Sequence, residues 1–305
     1  QLGGIGEMCF NSPSNSYQIT VYNEDYKTPD WFKTGIAYQI FVDRFCNGNE
    51  NGEFLGNRTD IIKRNWGEQP FYKAEQFGGE YKANDFFGGN LKGVIKKLPY
   101  LKDLGISVIY LNPIFKAYSN HKYDTGDYET IDPMFGDEET FKELCSKAKE
   151  MGIRIILDGV FNHTGSNSRY FNKYGEYDSV GAYQSKESPY YTWFRFMDWP
   201  DVYESWWGMT TLPQIEEHSE ECRKYLLSDK DAIVKRWIKN GASGWRLDVV
   251  DELPGFFVKE LRENVKKADK DAVIIGEVWE DASNKSAYGE RREYFLGKEL
   301  DSVMN

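Results

Sequence analysis

The sequence predicts an α/β protein folded as a (β/α)8 TIM barrel, of which about the first six strands are present. Three observations carry that expectation. Short, almost wholly apolar segments read as strands, amphipathic helical segments closed by glycine separate them, and one long aromatic stretch interrupts the alternation after the third strand. Strands apolar on both faces belong to a parallel sheet covered by helices. Five or six such units favour a closed barrel over an open doubly wound sheet, and no glycine-rich phosphate loop supports the open form.

The elements follow in order. Residues 36–42, IAYQIFV, form a first strand that runs into the Asn/Gly-rich NGNENGE loop. Leu91, Val94, Ile95, Leu98, Leu101 and Leu104 recur at helical spacing up to Gly105, and ISVIYL follows as a strand entering Asn112 and Pro113. Phe141, Leu144, Cys145, Ala148 and Met151 mark a helix stopped by Gly152, before the strand IRIILDGV through Asp158. Residues 220–240 read as one longer helix ending at Gly241, then come the strand GWRLDVV, a helix through Phe256, Phe257, Leu261 and Val265, and the strand AVIIGEVW.

Two pieces stand outside the repeat. Residues 1–30 contain SYQITVYN, whose alternation predicts a strand at the edge of another domain. Residues 162–211 are rich in Tyr, Ser, Trp and Gly without helical period, where a barrel needs only a short connection. Their position after strand 3 puts them over the C-terminal face, where barrel active sites lie.

Composition narrows the function classes. The 305 residues carry a net charge of −11 with Asp and Glu interleaved with Lys, which describes a solvated surface and speaks against nucleic acid as a partner. No apolar run approaches the roughly 18 residues needed to cross a bilayer, and no signal segment is seen, so no membrane partner is expected. Cys9, Cys46, Cys145 and Cys222 have neither CxxC spacing nor a pairing pattern, so free thiols are expected. They lean towards a cytoplasmic location over a secreted one, but QLGGIGE lacks a starting Met and leaves the compartment open. The 9 Trp, 21 Tyr and 19 Phe lie in stretches that also carry Gly, Asn and Asp, a mixture suited to sugars, whose C–H faces cover rings while amides and carboxylates bond the hydroxyls.

Carboxylates that end apolar strands are the candidates for chemistry, because barrel enzymes hold reactive groups there. Asp158 ends IRIILD, Asp248 ends GWRLD and Glu277 ends AVIIGE. Any one alone fits a strand-end cap or a structural ion pair, but three in successive units point to a site. Arg246 and Asp248 lie two apart on one strand, share a face and can pair, which favours an ionised Asp248. Glu277 stands among Ile274, Ile275, Val278 and Trp279, neighbours expected to favour its protonated form. A nucleophile and an acid are the two carboxyls a retaining glycosidase uses. His121, in HKYDTGDY, and His163, in DGVFNHTG, sit beside these positions, and Tyr123 offers a ring face to a sugar.

These motifs resemble the α-amylase family, glycoside hydrolase family 13, and within it the neopullulanase and cyclomaltodextrinase branch. DGVFNH looks like the first conserved region, GWRLDVVDE the second and GEVW the third. The resemblance implies Asp248 as nucleophile and Glu277 as acid/base, with Arg246, His121, Tyr123, Asp158 and His163 binding substrate. It also implies that residues 1–30 end an N-terminal β-sandwich domain, that 31–161 hold strands 1–3, that 162–211 are the inserted B domain and that 212–305 hold strands 4–6. LPQIE at residues 212–216 departs from the Leu-Asn pair usual after a basic residue in this branch, which touches specificity and not the catalytic pair. The fourth region, with a third carboxylate, has no counterpart before Asn305, so a longer natural protein is expected.

Some members bind calcium in the loop after the first strand, and there Asn47, Asn49, Glu50 and Glu53 offer oxygens; the same Asn/Gly-rich composition also suits a plain turn. The expected function is a retaining α-glucan hydrolase that cleaves α-1,4-glucosidic bonds in starch, pullulan or cyclodextrin. Two alternatives stay open: a transglycosylase with the same site, and a catalytically incomplete carbohydrate-binding fragment. A homodimer of the full-length protein also stays open.

Overall fold

The computed structural model describes residues 19–304. Six strands form one parallel sheet in chain order: β1 (Ala37–Ile40), β2 (Val108–Leu111), β3 (Arg154–Gly159), β4 (Gly244–Leu247), β5 (Val273–Glu277) and β6 (Ser302–Met304). Each strand pairs in parallel with its sequence neighbours, for example Arg246 opposite Asp158 on one side and Ile275 on the other. Parallel pairing requires a crossover between strands. Helices α1 (Leu91–Asp103), α2 (Glu138–Glu150), α3 (Ile233–Lys239) and α4 (Gly255–Ala268) supply it in the first four connections.

Local chemistry fixes the helix ends. Asn90 and Asp137 cap α1 and α2 by accepting the backbone N–H of Gly93 and Thr140. Gly105 and Gly152, past the C-terminal ends of these helices, have φ of 85° and 73°, a conformation that glycine adopts without steric penalty.

The period of two along the strands sorts the core into layers. Ile109, Leu111, Ile155, Leu157, Trp245, Leu247 and Ile274 face the helices, where fully buried Trp237 packs 5.1 Å from Phe115 and 5.5 Å from Phe141. Val108, Tyr110, Ile156, Val273 and Ile275 form a separate inner cluster. Asp158, Arg246 and Glu277 lie two residues along from inner-face positions, so the same alternation aims them over the C-terminal mouth of the sheet.

Two expectations need correction. Residues 220–240 do not form one helix: an α-turn, Glu220–Arg223, passes into a π-turn, Lys224–Ser228, and α3 starts only at Ile233. Burial of Leu226 and Leu227 sets the turn, while Lys235 Nζ donates to the carbonyls of Ser228 and Asp229 at the break. The strand expected over SYQITVYN lies partly outside the described residues, and its part from Ile19 onward is exposed and carries no strand, so its alternating apolar residues Ile19 and Val21 cover no core.

Residues 162–211 contain no α-helix. They hold short turns and the hairpin Phe196–Asp198/Val202–Tyr203, and Phe171 packs there on Phe194 and Tyr203 at 4.9 and 4.7 Å. Among the described residues, Cys46, Cys145 and Cys222 are unpaired thiols, and no helix is long and apolar enough to cross a membrane. Cys9 lies outside the described residues.

Candidate active site

One guanidinium organises the site. Arg246, 4% exposed, donates through Nη1 to both oxygens of Asp158 at 3.0 Å and to Asp248 Oδ1 at 2.7 Å, while its Nη2 lies 2.9 Å from Glu277 Oε1. The second Glu277 oxygen accepts the Val249 N–H at 3.0 Å. Val249 achieves this with a φ of 41°, a left-handed conformation uncommon for a β-branched residue, and such outliers gather at functional sites. The strand ends sharply at Asp248 because the next residue turns back to aim the Glu277 carboxyl.

This differs from the expected split, in which Arg246 served Asp248 alone and Glu277 stood among apolar groups. Alternation is the reason: Ile274 and Val278 are buried away from the mouth, while the Glu277 carboxyl, 23% exposed, points towards Arg246. Asp248 is the more buried of the two, and burial together with the negative charge of Asp158 pushes its carboxyl up to about 8 against the pull of Arg246. Asp158, Asp248 and Glu277 thus crowd one guanidinium, and the like charges beside Asp248 work against its ionisation. One ionised and one protonated carboxyl is the state that double displacement starts from.

Asp158 departs from its expected part in binding substrate. It is 2% exposed and does not line the cavity; besides Arg246 it accepts the hydroxyls of Tyr110 and Tyr123, the latter at 3.1 Å. It positions Arg246 and Tyr123 from beneath. Burial raises the pKa of both phenols and holds them as donors.

His121 and His163 both line the cavity, and burial lowers the pKa of each, that of His163 to about 4, so both are neutral. His121 Nδ1 accepts the Tyr123 N–H at 3.2 Å, and Ser119 Oγ, 3.1 Å away, gives its own proton to Asp124. The Nε2–H of His121 is therefore the ring's donor. His163 Nδ1 lies 3.2 Å from Asn162 Oδ1, and a hydrogen bond of the ring to the Tyr123 backbone opposes part of the effect of burial. The His163 ring stacks on Trp206 at 5.2 Å.

The cavity has a volume of about 910 Å³ and is walled by Tyr81, Tyr118, Tyr123, Trp206 and Trp279 around Asp248 and Glu277. Of the predicted site residues it brings together Asp248, Glu277, Arg246, His121, Tyr123 and His163. Tyr110, Val249 and Trp206 were missed. Tyr110 had a signal, a hydroxyl inside the apolar run ISVIYL; the turn at Val249 had none.

Asn47, Asn49 and Glu53 lie apart from this cavity, in the loop after β1. Asn47 Nδ2 donates to the carbonyls of Gly52 and Glu53 at 3.0 and 3.1 Å, and Asn49 Nδ2 to Glu53 at 2.7 Å. Two amides and two carbonyls thus converge, with Asn47 Oδ1 accepting the Asn49 N–H at 2.9 Å and Asn90 Nδ2 at 3.2 Å. The donor set fits a hard cation in kind but is short of the usual six to eight oxygens, and among the described residues no cluster of three His, Cys, Asp or Glu forms.

Carboxyls gathered at the C-terminal ends of parallel strands, over an aromatic cavity of this size, mark the class of β/α-barrel proteins whose reactive groups stand at the strand ends. Comparison with known proteins makes the assignment definite: residues 39–305 match the family described as alpha amylase, catalytic domain, and the chain belongs to that family. It is 41% identical to the amylopullulanase of Thermoanaerobacterium saccharolyticum, covering 100% of this chain and 25% of that protein. Among solved structures it resembles the type III pullulan hydrolase of Thermococcus kodakarensis (36% identity, TM-score 0.76, 93% of this chain and 48% of that one). It also resembles the cyclic α-maltosyl-(1→6)-maltose hydrolase of Arthrobacter globiformis in complex with its cyclic sugar (31% identity, TM-score 0.74, 91% and 56%). The chain thus spans between a quarter and about half of the length of these relatives.

Proposed function

We propose that the protein is a retaining α-glucan hydrolase in which Asp248 is the nucleophile and Glu277 the acid/base. The observation that carries this is the single guanidinium of Arg246, bonded to both carboxyls at 2.7 and 2.9 Å. Sharing one guanidinium holds the pair close, and a close pair favours direct attack by one carboxylate over the wider gap in which an inverting enzyme seats its water. The names of the relatives, amylopullulanase and pullulan hydrolase among them, support an α-glucan as substrate.

In this reading Glu277 gives its proton to the glycosidic oxygen as Asp248 Oδ2 attacks the anomeric carbon, forming a covalent glucosyl ester. The positive charge that develops on the sugar next to Asp248 favours its ionised form. Glu277, now a carboxylate, takes a proton from a water that opens the ester. His121 donates from Nε2 to a sugar hydroxyl, His163 stacked on Trp206 walls the same space, and Tyr123, held by Asp158, presents its ring to the sugar face. Double displacement releases a product with the α configuration. Proton NMR of the first product from maltotetraose tests this; a β product at early times would overturn it.

We infer further that the loop of Asn47, Asn49 and Glu53 takes calcium weakly and in a structural role. Glu53 brings the only carboxylate of the three, and the loop lies apart from the catalytic groups, so the ion has no part in the chemistry.

A further inference from the structure

Lys122 stands between two residues of the site and faces away from it. The hairpin Phe115–Ala117/Thr125–Ile131 carries the loop of residues 118–124, from which Tyr118, Ser119, His121, Tyr123 and Asp124 line the cavity. Lys122 does not line it. Its side chain runs the other way, into the core, and is 0% exposed.

An ammonium is a costly group to bury, and this one is fully matched. Its three N–H groups meet three acceptors: Asp132 Oδ2 at 2.7 Å and the carbonyls of Ser119 and Ala117 at 3.1 and 3.5 Å. The rings of Phe86 and Phe135 cover it at 5.2 and 4.8 Å. Asp132 in turn accepts the N–H groups of Ala117 and Met134 at 3.2 and 2.9 Å. The pair thus ties the foot of the loop to the residue that follows the second strand of the hairpin. A buried ion pair adds little stability over apolar residues of the same size, so its use here is geometric.

The geometry converges on His121. Lys122 has a φ of 62°, a left-handed conformation uncommon for a residue with a side chain, and its N–H donates to Ser119 Oγ at 2.8 Å. That leaves the Ser119 hydroxyl to give its proton to Asp124, while the turn at Lys122 brings the Tyr123 N–H to 3.2 Å from His121 Nδ1. Both groups that face Nδ1 are therefore placed by Lys122, Ser119 through its carbonyl and hydroxyl and Tyr123 through the turn. Burial lowers the pKa of His121 and Asp124 opposes it; the charge of Lys122 adds to the lowering and helps to keep the ring neutral. We propose that Lys122, paired with Asp132, is a positioning residue that fixes the ring of His121 with its Nε2–H free to donate into the cavity. This rests on the hydrolase reading above, in which that N–H bonds a sugar hydroxyl.

Three variants of the full-length protein separate positioning from stability, each assayed at a temperature at which urea unfolding shows it folded. Lys122→Met leaves the charge of Asp132 alone in the core, so the protein unfolds at lower urea and its activity falls on either account. Lys122→Met/Asp132→Asn removes both charges and recovers most of that stability. Its kcat/KM on maltotetraose nevertheless stays about 10-fold or more below wild type. Adding His121→Ala as the third change lowers it by no more than about threefold further, because the contact made by His121 is already lost. Activity that returns with stability in the double variant overturns the proposal, and so does a loss that multiplies in full with that of His121→Ala. A wild-type protein that turns over no maltotetraose overturns the hydrolase reading itself, and the role of Lys122 with it.

Discussion

Replacing Glu217 by Gln should change how stability depends on pH, and the size of the change follows from the structure. Glu217 is 7% exposed, and its Oε1 has no hydrogen-bond partner. Burial pushes its carboxyl up from 4.5 to about 8, with Glu216 and Glu204 adding to the rise and its own backbone N–H and Arg195 opposing it. The folded chain thus keeps a proton that the unfolded chain has lost at any pH between those values. The sign follows: the contribution to stability is full below about 4.5 and is lost as pH rises through about 8. At 1.36 kcal/mol per unit the whole shift is worth about 5 kcal/mol, of which about 4 kcal/mol is lost between pH 4.5 and 8.5. Gln cannot ionise, so its own burial penalty is independent of pH. Urea unfolding of both proteins at pH 4.5 and 8.5 isolates the effect, because all other titrations cancel in the difference. The variant should gain about 4 kcal/mol on wild type between the two pH values. Curves that stay parallel within about 1 kcal/mol would refute the argument.

Other expectations follow from the site. Tyr110→Phe removes a donor from buried Asp158 and should destabilise the fold by about 1.5–3 kcal/mol, measured by denaturant unfolding, with kcat falling as Arg246 loses its support. His121→Ala removes the Nε2 donor and should lower kcat/KM on maltotetraose about 10- to 100-fold; a change under twofold would exclude a substrate contact. Millimolar calcium should raise Tm by a few degrees and a chelator should return it to its starting value. A Tm indifferent to both would remove the ion from the loop after β1.

Much of this was legible in the sequence because strands of a covered parallel sheet are apolar runs, so a carboxylate that interrupts one announces itself. That is how Asp248 and Glu277 stood out, and why the strand bounds differ from the structure by only a few residues. Contacts that cross between strands were not legible. The environment of Glu277 was inferred from neighbours in sequence, but two of those point away from the mouth and the carboxyl finds Arg246 on the adjacent strand. Asp158 looked like a group that meets substrate, and only its packing against Tyr110 and Tyr123 shows it to lie beneath the cavity. The break in residues 220–240 was hidden because the apolar spacing runs on through the π-turn. The left-handed turns at Trp207, Val249 and Tyr288 carry no sequence signal, since each puts a bulky residue where glycine or asparagine is expected.

The central claim is that Asp248 forms a covalent bond to the sugar. Glu277→Gln in the full-length protein should still react with α-maltosyl fluoride, whose leaving group needs no proton, and should then stall for want of a base. Mass spectrometry of the digested protein should find a maltosyl adduct on the peptide that carries Asp248. An adduct on another residue, or none while fluoride is still released, would contradict the account.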